Sequence, residues 1–241
     1  MTTRKVAVIT DASGGVGAGL VAGYRRRDWS VVASARTITP AHDPELLTVA
    51  GDITDPATAG RLVDTALQRF GRIDTLVNNA GVVISKPFTD YTAADYATTA
   101  GAALAGFFWL TQRVIADMAM RYGGHVVTVS AAISPTADAG PSAVLIALTR
   151  GGLAAATRSL AVEYASRGIR VNAVSPGAIQ VPAQLGDGSG DPGGWFAPLG
   201  HPGQVSDVVD GVLFLEASPY ITGVVLPIDG GQAASHSEAL D

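Results

Sequence analysis

Short apolar runs alternate with helical segments along the whole chain, and this alternation restricts the possible folds more than any other feature. The runs predict seven strands, at Lys5–Thr10, Ser30–Ser34, Leu46–Ala50, Ile73–Asn78, His125–Ser130, Ile169–Val174 and Val224–Ile228. Most are apolar throughout, as in strands that are buried on both faces of a parallel sheet. Since helices separate most of these strands, the order predicts a doubly wound, three-layer α/β fold with a central, mostly parallel seven-stranded sheet.

The segments between the strands carry apolar residues at helical spacing. They predict helices at Gly15–Arg27, Ala57–Phe70, Thr92–Tyr122, Pro141–Arg167 and Gln204–Ala217. The third is expected to be one long helix, loosened by Gly101 and Gly106. We find no internal repeat or linker, so a single domain over residues 1–241 is expected. Residues 182–202, rich in Gly, Pro and Asp, predict an irregular loop on the substrate side, which would be either a lid or a surface insertion.

Composition excludes several classes of function. Hydrophobic residues make up 47% and charged residues 15%, which is typical of a globular chain. The formal charge of −5 argues against nucleic acid or an anionic membrane as partner, and no segment is long and apolar enough to span a bilayer. The chain has no cysteine and no metal-ligand spacing, so we predict no metal site and a cytoplasmic location.

Glycine-containing motifs follow the predicted strands. The first strand runs into TDASGGVG at Thr10–Gly17, whose Gly15, Val16 and Gly17 begin a helix. Free amides and the dipole at a helix N-terminus favour a phosphate group. The later motifs are Asp52-Ile53, Asn78-Asn79-Ala80-Gly81, Ser175-Pro176-Gly177 and Asp229-Gly230-Gly231.

Taken in this order, the motifs resemble those of the short-chain dehydrogenase/reductase family over roughly the whole chain. The resemblance implies a Rossmann-type fold that binds a nicotinamide dinucleotide. It places the cofactor-binding residues at Gly15, Val16, Gly17, Arg36, Asp52, Ile53, Asn79, Ala80, Gly81, Arg150, Pro176, Gly177 and Ile179. Arg36 follows the second strand where no carboxylate is present, which favours NADP(H) over NAD(H). Asp11 replaces the first glycine of the family motif, and its charge near the phosphates predicts weakened or lost cofactor binding.

The family's Asn, Ser, Tyr and Lys perform its acid–base chemistry, and none of the four is conserved here in type. Their positions fall on Ala103, Ala131, Ile146 and Arg150. Ser130 or Ser134 remains as a hydroxyl near the family's Ser, so the candidate catalytic residues are Arg150 and Ser134. Because an arginine stays protonated, it is a poor general acid, but it binds a ribose or clamps an anion. We therefore predict an anionic group or ribose beside Arg150.

Three functions remain open from the sequence. The first is an NAD(P)(H)-dependent oxidoreductase with a non-standard or impaired active site. The second is a catalytically inactive binding or structural protein, and the third is a non-redox isomerase, lyase or cyclase that uses the same pocket. Trp195, Phe196 and Leu199 favour an apolar or aromatic small-molecule substrate. The family usually assembles through its two long helices, and residues 92–122 and 141–167 are rich in small residues, so a homotetramer or dimer is expected.

Overall fold

A computed structural model of the chain describes residues 4–79, 81, 84–130, 144–181 and 197–234. The strands are β1 Val6–Thr10, β2 Ser30–Ala35, β3 Leu46–Ala50, β4 Thr75–Asn78, β5 Gly124–Val129, β6 Ile169–Pro176, β7 Ile179–Gln180, β8 Gly203–Gln204 and β9 Val225–Ile228. The α-helices are α1 Gly15–Arg26, α2 Pro56–Phe70, α3 Ala93–Ala100, α4 Gly106–Arg121, α5 Val144–Tyr164 and α6 Val205–Ala217. Short 3₁₀ turns occur at Phe88–Asp90 and Ala165–Arg167.

Seven parallel strands form one sheet in the order β3-β2-β1-β4-β5-β6-β9. The chain moves outward from β1 to β3, and then returns to the other side of β1 with β4. In such a sheet the ligand crevice lies at the carboxyl ends of the strands, where the winding direction reverses. The structure confirms the predicted Rossmann-type fold and places that crevice between β1 and β4.

Helices cover both faces of the sheet, which explains why its strands are apolar. One core packs α1 and α6 against the sheet, with Leu20, Tyr24 and Val212 fully buried. The other core packs α2 and α4, with Leu62 and Leu110 fully buried. Burial on both faces favours continuous apolar runs over alternation.

The predicted helix Thr92–Tyr122 is wrong in one detail, because a π-helical turn at Gly101–Ala105 separates α3 from α4. The chain is continuously helical, but this turn holds more residues than an α-turn. Glycines at its two ends let it approach the loop after β3. A Cβ added to Gly106 would lie 2.8 Å from Cγ2 of Ile53, and one added to Gly101 would lie 3.5 Å from Cγ2 of Thr54.

Other boundaries differ from the predictions at the edges of elements. The helix predicted at Pro141–Arg167 is seen from Val144 and ends in a 3₁₀ turn, while residues 141–143 lie outside the described ranges. The β7–β8 pair was not predicted from the sequence. Most of the predicted loop, residues 182–196, also lies outside the described ranges. No described helix has the length and hydropathy needed to cross a membrane.

A buried polar cluster lies at the amino ends of β5 and β6, opposite the crevice. The side chain of His125 is 2% exposed, with Nδ1 3.0 Å from Glu216 Oε2 and Nε2 3.0 Å from Asn172 Nδ2. Arg170 Nη1 also approaches Nε2, at 3.3 Å. Since amide and guanidinium nitrogens only donate, Nε2 accepts and the proton is on Nδ1, which donates to Glu216. Burial lowers the pKa of His125 and outweighs the opposite effect of Glu216, so the ring is uncharged at neutral pH.

Candidate functional site

A cavity of about 430 Å³ opens at the carboxyl ends of β1, β2 and β3, beneath α3. We call it the cleft. Its lining residues are Thr10, Asp11, Ser34, Ala35, Arg36, Gly51, Asp52, Ile53, Thr54, Gly81, Ala97, Thr98, Gly101 and Ala102. The cleft therefore lies at the switch point of the sheet and brings together Arg36, Asp52, Ile53 and Gly81 from the predicted site.

The glycine-rich turn between β1 and α1 contributes its first residues, Thr10 and Asp11, to the cleft, whereas Gly15–Gly17 are not among the residues that line it. A Cβ on Gly17 would lie 2.8 Å from the carbonyl carbon of Asp11 and 2.9 Å from Cα of Ala12. Only glycine therefore permits this close approach. The N-cap of α1 is Gly14, which has no side chain to cap the first amides. Those amides remain available to an anion, as the sequence predicted.

Asp11 occupies an unusual place in this turn. Its φ of +49° is in the left-handed region, where glycine is favoured. Burial raises the pKa of its carboxyl group, while the charge of Arg36 acts in the opposite direction. The carboxyl group of Asp11 and the guanidinium of Arg36 thus line the cleft from neighbouring strand ends.

Asp52 and Ile53 form the wall that follows β3. Asp52 Oδ1 accepts a hydrogen bond of 2.9 Å from the backbone N–H of Thr54. This backbone hydrogen bond is the main reason that the pKa of Asp52 is lowered, and the charge of Arg36 adds to it. Asp52 is therefore ionised at neutral pH and held in a fixed orientation.

The segment after β4 is attached to the glycine-rich turn. The N–H of Asn79 donates to Thr10 Oγ1 at 2.9 Å, and Asn79 Nδ2 donates to the carbonyl of Asp11 at 3.3 Å. Gly81 continues this segment into the cleft, while Ala80 lies outside the described residues. These two hydrogen bonds link the end of β4 to the end of β1.

Arg150 reaches this segment from α5. A Cβ on Gly81 would overlap Nη2 of Arg150, so the guanidinium lies directly against that glycine. The residue is 6% exposed, and its Nη1 has no hydrogen-bond partner. Burial lowers the pKa of Arg150. The guanidinium is out of bulk solvent, as the sequence hypothesis requires, and the anion or ribose beside it stays a prediction.

The positions to which the resemblance assigns the family's Tyr and Asn are apolar and buried. Ile146 is 8% exposed and Ala103, within the π-helical turn, is 3% exposed. Beside Ala103 is a small cavity of about 10 Å³, where the hydroxyl of Thr128 has no partner. No Tyr, Lys, His or Cys is among the described residues that line the cleft. Ala131 and Ser134, the other two predicted positions, lie outside the described ranges.

Three predicted site residues at the end of β6 and just beyond it, Pro176, Gly177 and Ile179, are not among the residues that line the cleft. Pro176 ends β6, and a Cβ on Gly177 would lie 2.9 Å from Cα of Asp229. Ile179 pairs with Gly203 in the β7–β8 ribbon. This segment approaches the glycine-rich turn through Val181, whose Cγ1 lies 3.4 Å from a Cβ built on Gly15.

Sequence reasoning missed the side of the cleft formed by α3 and the π-helical turn, which contributes Ala97, Thr98, Gly101 and Ala102. The signal was the pair Gly101 and Gly106, which we took as loosening of a helix. Across the described ranges, no group of three or more acidic or histidine side chains could hold a metal ion.

Comparison with known proteins agrees with this geometry. A family profile described as enoyl-(acyl carrier protein) reductase matches residues 9–233. The 3-oxoacyl-(acyl-carrier-protein) reductase FabG of Thermotoga maritima is 32% identical over 94% of this chain and 97% of its own length. The chain belongs to the short-chain dehydrogenase/reductase family. A protein assigned provisionally as ketoacyl reductase 2 of the granaticin polyketide synthase in Streptomyces violaceoruber is 36% identical over 94% of this chain and 95% of its own length.

Solved structures of similar chains contain nicotinamide dinucleotides. ElxO with a Tyr-to-Phe substitution and bound NADPH superposes with a TM-score of 0.89 at 26% identity, covering 97% of this chain and all (100%) of that one. The 3-ketoacyl-(acyl-carrier-protein) reductase of Brucella melitensis, in complex with NADH, gives a TM-score of 0.84 at 26% identity, covering 95% and 98%. The chain therefore belongs to a family of NAD(P)-dependent oxidoreductases, and solved structures similar to it contain nicotinamide cofactors.

Proposed function

We propose that the chain is an NADP(H)-dependent oxidoreductase that acts on a small molecule without a tyrosine acid. The observation that supports this most is the cleft, which has glycines at the switch point of the sheet and a guanidinium at the end of β2. The turn that starts at Asp11 leads from the cleft to the uncapped N-terminus of α1. These are the features that hold a phosphorylated dinucleotide.

The residues of the cleft fit such a cofactor. The amides of Gly15–Gly17 would hold its pyrophosphate, and Asp52 and Ile53 would hold its adenine. Arg36 would pair with a 2′-phosphate. A second cavity, of about 550 Å³, is lined by Ser13 and by Thr37, the residue after Arg36, and the hydroxyls of these two residues suit the same group. When bound, the nicotinamide ring would donate or accept a hydride at the carbonyl carbon of the substrate.

The protein's own contribution would be orientation and exclusion of water. Ile146 and Leu153 lie on the buried face of α5 and would offer an apolar wall on either side of Arg150 in the helix. Without a side-chain acid, the substrate oxygen would exchange its proton with water. A positioned acid is worth roughly 10²- to 10⁴-fold in rate, so turnover would be slow by that factor.

The test is titration of the purified chain with NADPH and NADH, followed by fluorescence or calorimetry. We expect NADPH to bind more tightly than NADH, with an affinity weakened by the carboxylate of Asp11. No binding of either at millimolar concentration would exclude the oxidoreductase. Equal affinities would exclude the preference for NADP(H).

Restoration of the missing acid gives a second test. The double variant Ile146→Tyr with Arg150→Lys supplies the tyrosine and lysine of the family at their own positions. We expect carbonyl reduction to rise by roughly 10²-fold or more over the wild type. If the double variant folds and binds NADPH but reduces no carbonyl of a broad panel, the pocket itself has diverged.

A second candidate is a catalytically inactive binding protein. The burial of apolar side chains at both Ile146 and Ala103 favours it, since neither position retains a polar group. Tight NADPH binding by the wild type, with no turnover of any carbonyl, would favour this candidate over the oxidoreductase.

We also propose a homodimer or homotetramer. Large apolar side chains are exposed on both long helices: Phe108 is 52% exposed on α4, and Leu148 and Val162 are 62% and 82% exposed on α5. Light scattering coupled to gel filtration would measure the mass, and Phe108→Asp with Leu148→Asp should convert the assembly to monomer. A monomeric wild type would contradict the proposal.

A further inference from the structure

Arg150 is a buried cation for which the described part of the chain supplies no anion. Its side chain is 6% exposed, and Nη1 makes no hydrogen bond. None of the ion pairs among the described residues includes it. A buried charge without a partner is unfavourable by several kcal/mol. Such an arrangement is expected where a ligand completes the pair.

The guanidinium lies beside the cleft, against a residue of its lining. Its nearest contact of note is Gly81, which lines the cleft, and any side chain at that position would overlap Nη2. The lack of a side chain at Gly81 therefore lets the guanidinium reach the edge of the cleft. Arginine presents two parallel N–H groups, which match the two oxygens of a carboxylate.

The neighbours of Arg150 on α5 cannot satisfy it. One turn earlier is Ile146, and one turn later is Leu153, both buried and apolar. The hydroxyl of Thr149 donates to the carbonyls of Leu145 and Ile146 in its own helix. A counter-ion must therefore come from outside α5.

The phosphates of a dinucleotide already have other partners in the proposed complex. The glycine-rich turn follows β1 and Arg36 follows β2, whereas Gly81 follows β4, on the opposite side of β1 from β2. Adjacent strands are about 4.8 Å apart, so the end of β4, whose following segment Arg150 contacts at Gly81, lies roughly 10 Å along the sheet edge from the end of β2. We infer that Arg150 binds a carboxylate of the small-molecule substrate. This inference rests on the proposed function, because the proposed function assigns the cofactor phosphates to other residues of the site.

The experiment is calorimetric titration of the full chain with benzoate and with benzyl alcohol, with and without saturating NADP⁺. Benzyl alcohol has the same ring and no charge, and acetate serves as a smaller carboxylate probe. We expect carboxylates to bind the wild type at least 10-fold more tightly than benzyl alcohol. Arg150→Met should weaken carboxylate binding by about 10- to 100-fold and leave benzyl alcohol unchanged, as for loss of a hydrogen bond to a charged group.

Two further variants sharpen the result. Arg150→Lys keeps the charge but loses the planar fork, and should retain only part of the affinity. Arg158→Met makes the same change in charge at an exposed position of the same helix and should have no effect. Carboxylate binding that is equal in wild type and Arg150→Met would overturn the inference. The inference would also be overturned if pyrophosphate competes with benzoate and its binding depends on Arg150 to the same degree. If NADP⁺ fails to bind while benzoate binds through Arg150, the proposed function fails and this inference stands.

Discussion

Replacing Arg150 with methionine should stabilise the free protein, although it removes a charged group from the candidate site. The side chain of Arg150 is 6% exposed and its Nη1 is unpaired. Burial lowers its pKa, and no carboxylate of the described residues forms an ion pair with it. Methionine has a similar aliphatic length and no charge to desolvate. Exchange of buried ionic groups for apolar ones of similar volume is often stabilising by 1–4 kcal/mol. We expect about 2 kcal/mol.

Urea unfolding at neutral pH, followed by circular dichroism, measures this difference directly. In a chain of this size, 2 kcal/mol corresponds to a rise in Tm of roughly 4–8 °C. The control is Arg158→Met on the exposed face of α5, which should stay within about 0.5 kcal/mol of the wild type. If Arg150→Met loses more than about 1 kcal/mol while Arg158→Met is neutral, the guanidinium is paired in the folded protein and the reasoning is refuted.

Three other perturbations test separate parts of the structure. Gly17→Ala should lower the free energy of unfolding by about 2 kcal/mol or more and abolish dinucleotide binding, because the new Cβ would meet the backbone of the glycine-rich turn. The control is Gly14→Ala, whose Cβ would have nothing within 4 Å, and it should cost at most about 1 kcal/mol. Equal losses in urea unfolding would contradict this. Asp11→Gly should tighten NADPH binding by about 5- to 10-fold, since removal of a nearby like charge is worth about 1 kcal/mol, and the gain should shrink in high salt. An NADPH affinity that is unchanged or weaker in fluorescence titration would count against this prediction. Burial lowers the pKa of His125 in the folded protein, so below about pH 6.5 this histidine binds a proton in the unfolded chain before it does so in the folded one. The free energy of unfolding should therefore decrease by up to about 1.4 kcal/mol per pH unit toward pH 5. His125→Gln should remove this slope, and a variant that retains it would show that another group is responsible.

The fold could be predicted from the sequence because parallel strands covered on both faces are apolar throughout. For example, the apolar spacing that predicts the helix Ala57–Phe70 includes Leu62, and Phe70 ends that helix. Both residues lie in the core. The signal is local, since each strand and helix carries its own pattern. Strand order then follows from the short list of allowed crossovers.

The strand-end residues of the site were predictable for the same reason, since residues that follow parallel strands meet at one edge of the sheet. Arg36, Asp52 and Gly81 are distant in sequence and line one cleft. The π-helical turn was not predictable, because it depends on how closely Gly106 packs against Ile53 from another element. No local pattern encodes that contact.

The polar cluster at the other end of the sheet was also missed. His125 and Glu216 are separated by 91 positions, and each alone resembles an ordinary surface or strand-end residue. Their pairing appears only when β5 and α6 are placed together. Burial of such groups is decided by tertiary contacts and not by the composition of either segment.

The π-helical turn at Gly101–Ala105 sets the rotation between α3 and α4. Each residue of an α-helix advances the side chains by about 100° around the axis. Loss of one residue from this turn would restore regular α-helical geometry and rotate α3 by that angle relative to α4. Ala97 and Thr98, which now line the cleft, would turn away from it, while α4 would keep its place in the core. The shape of the cleft is thus open to change by a one-codon deletion that leaves the packed core intact.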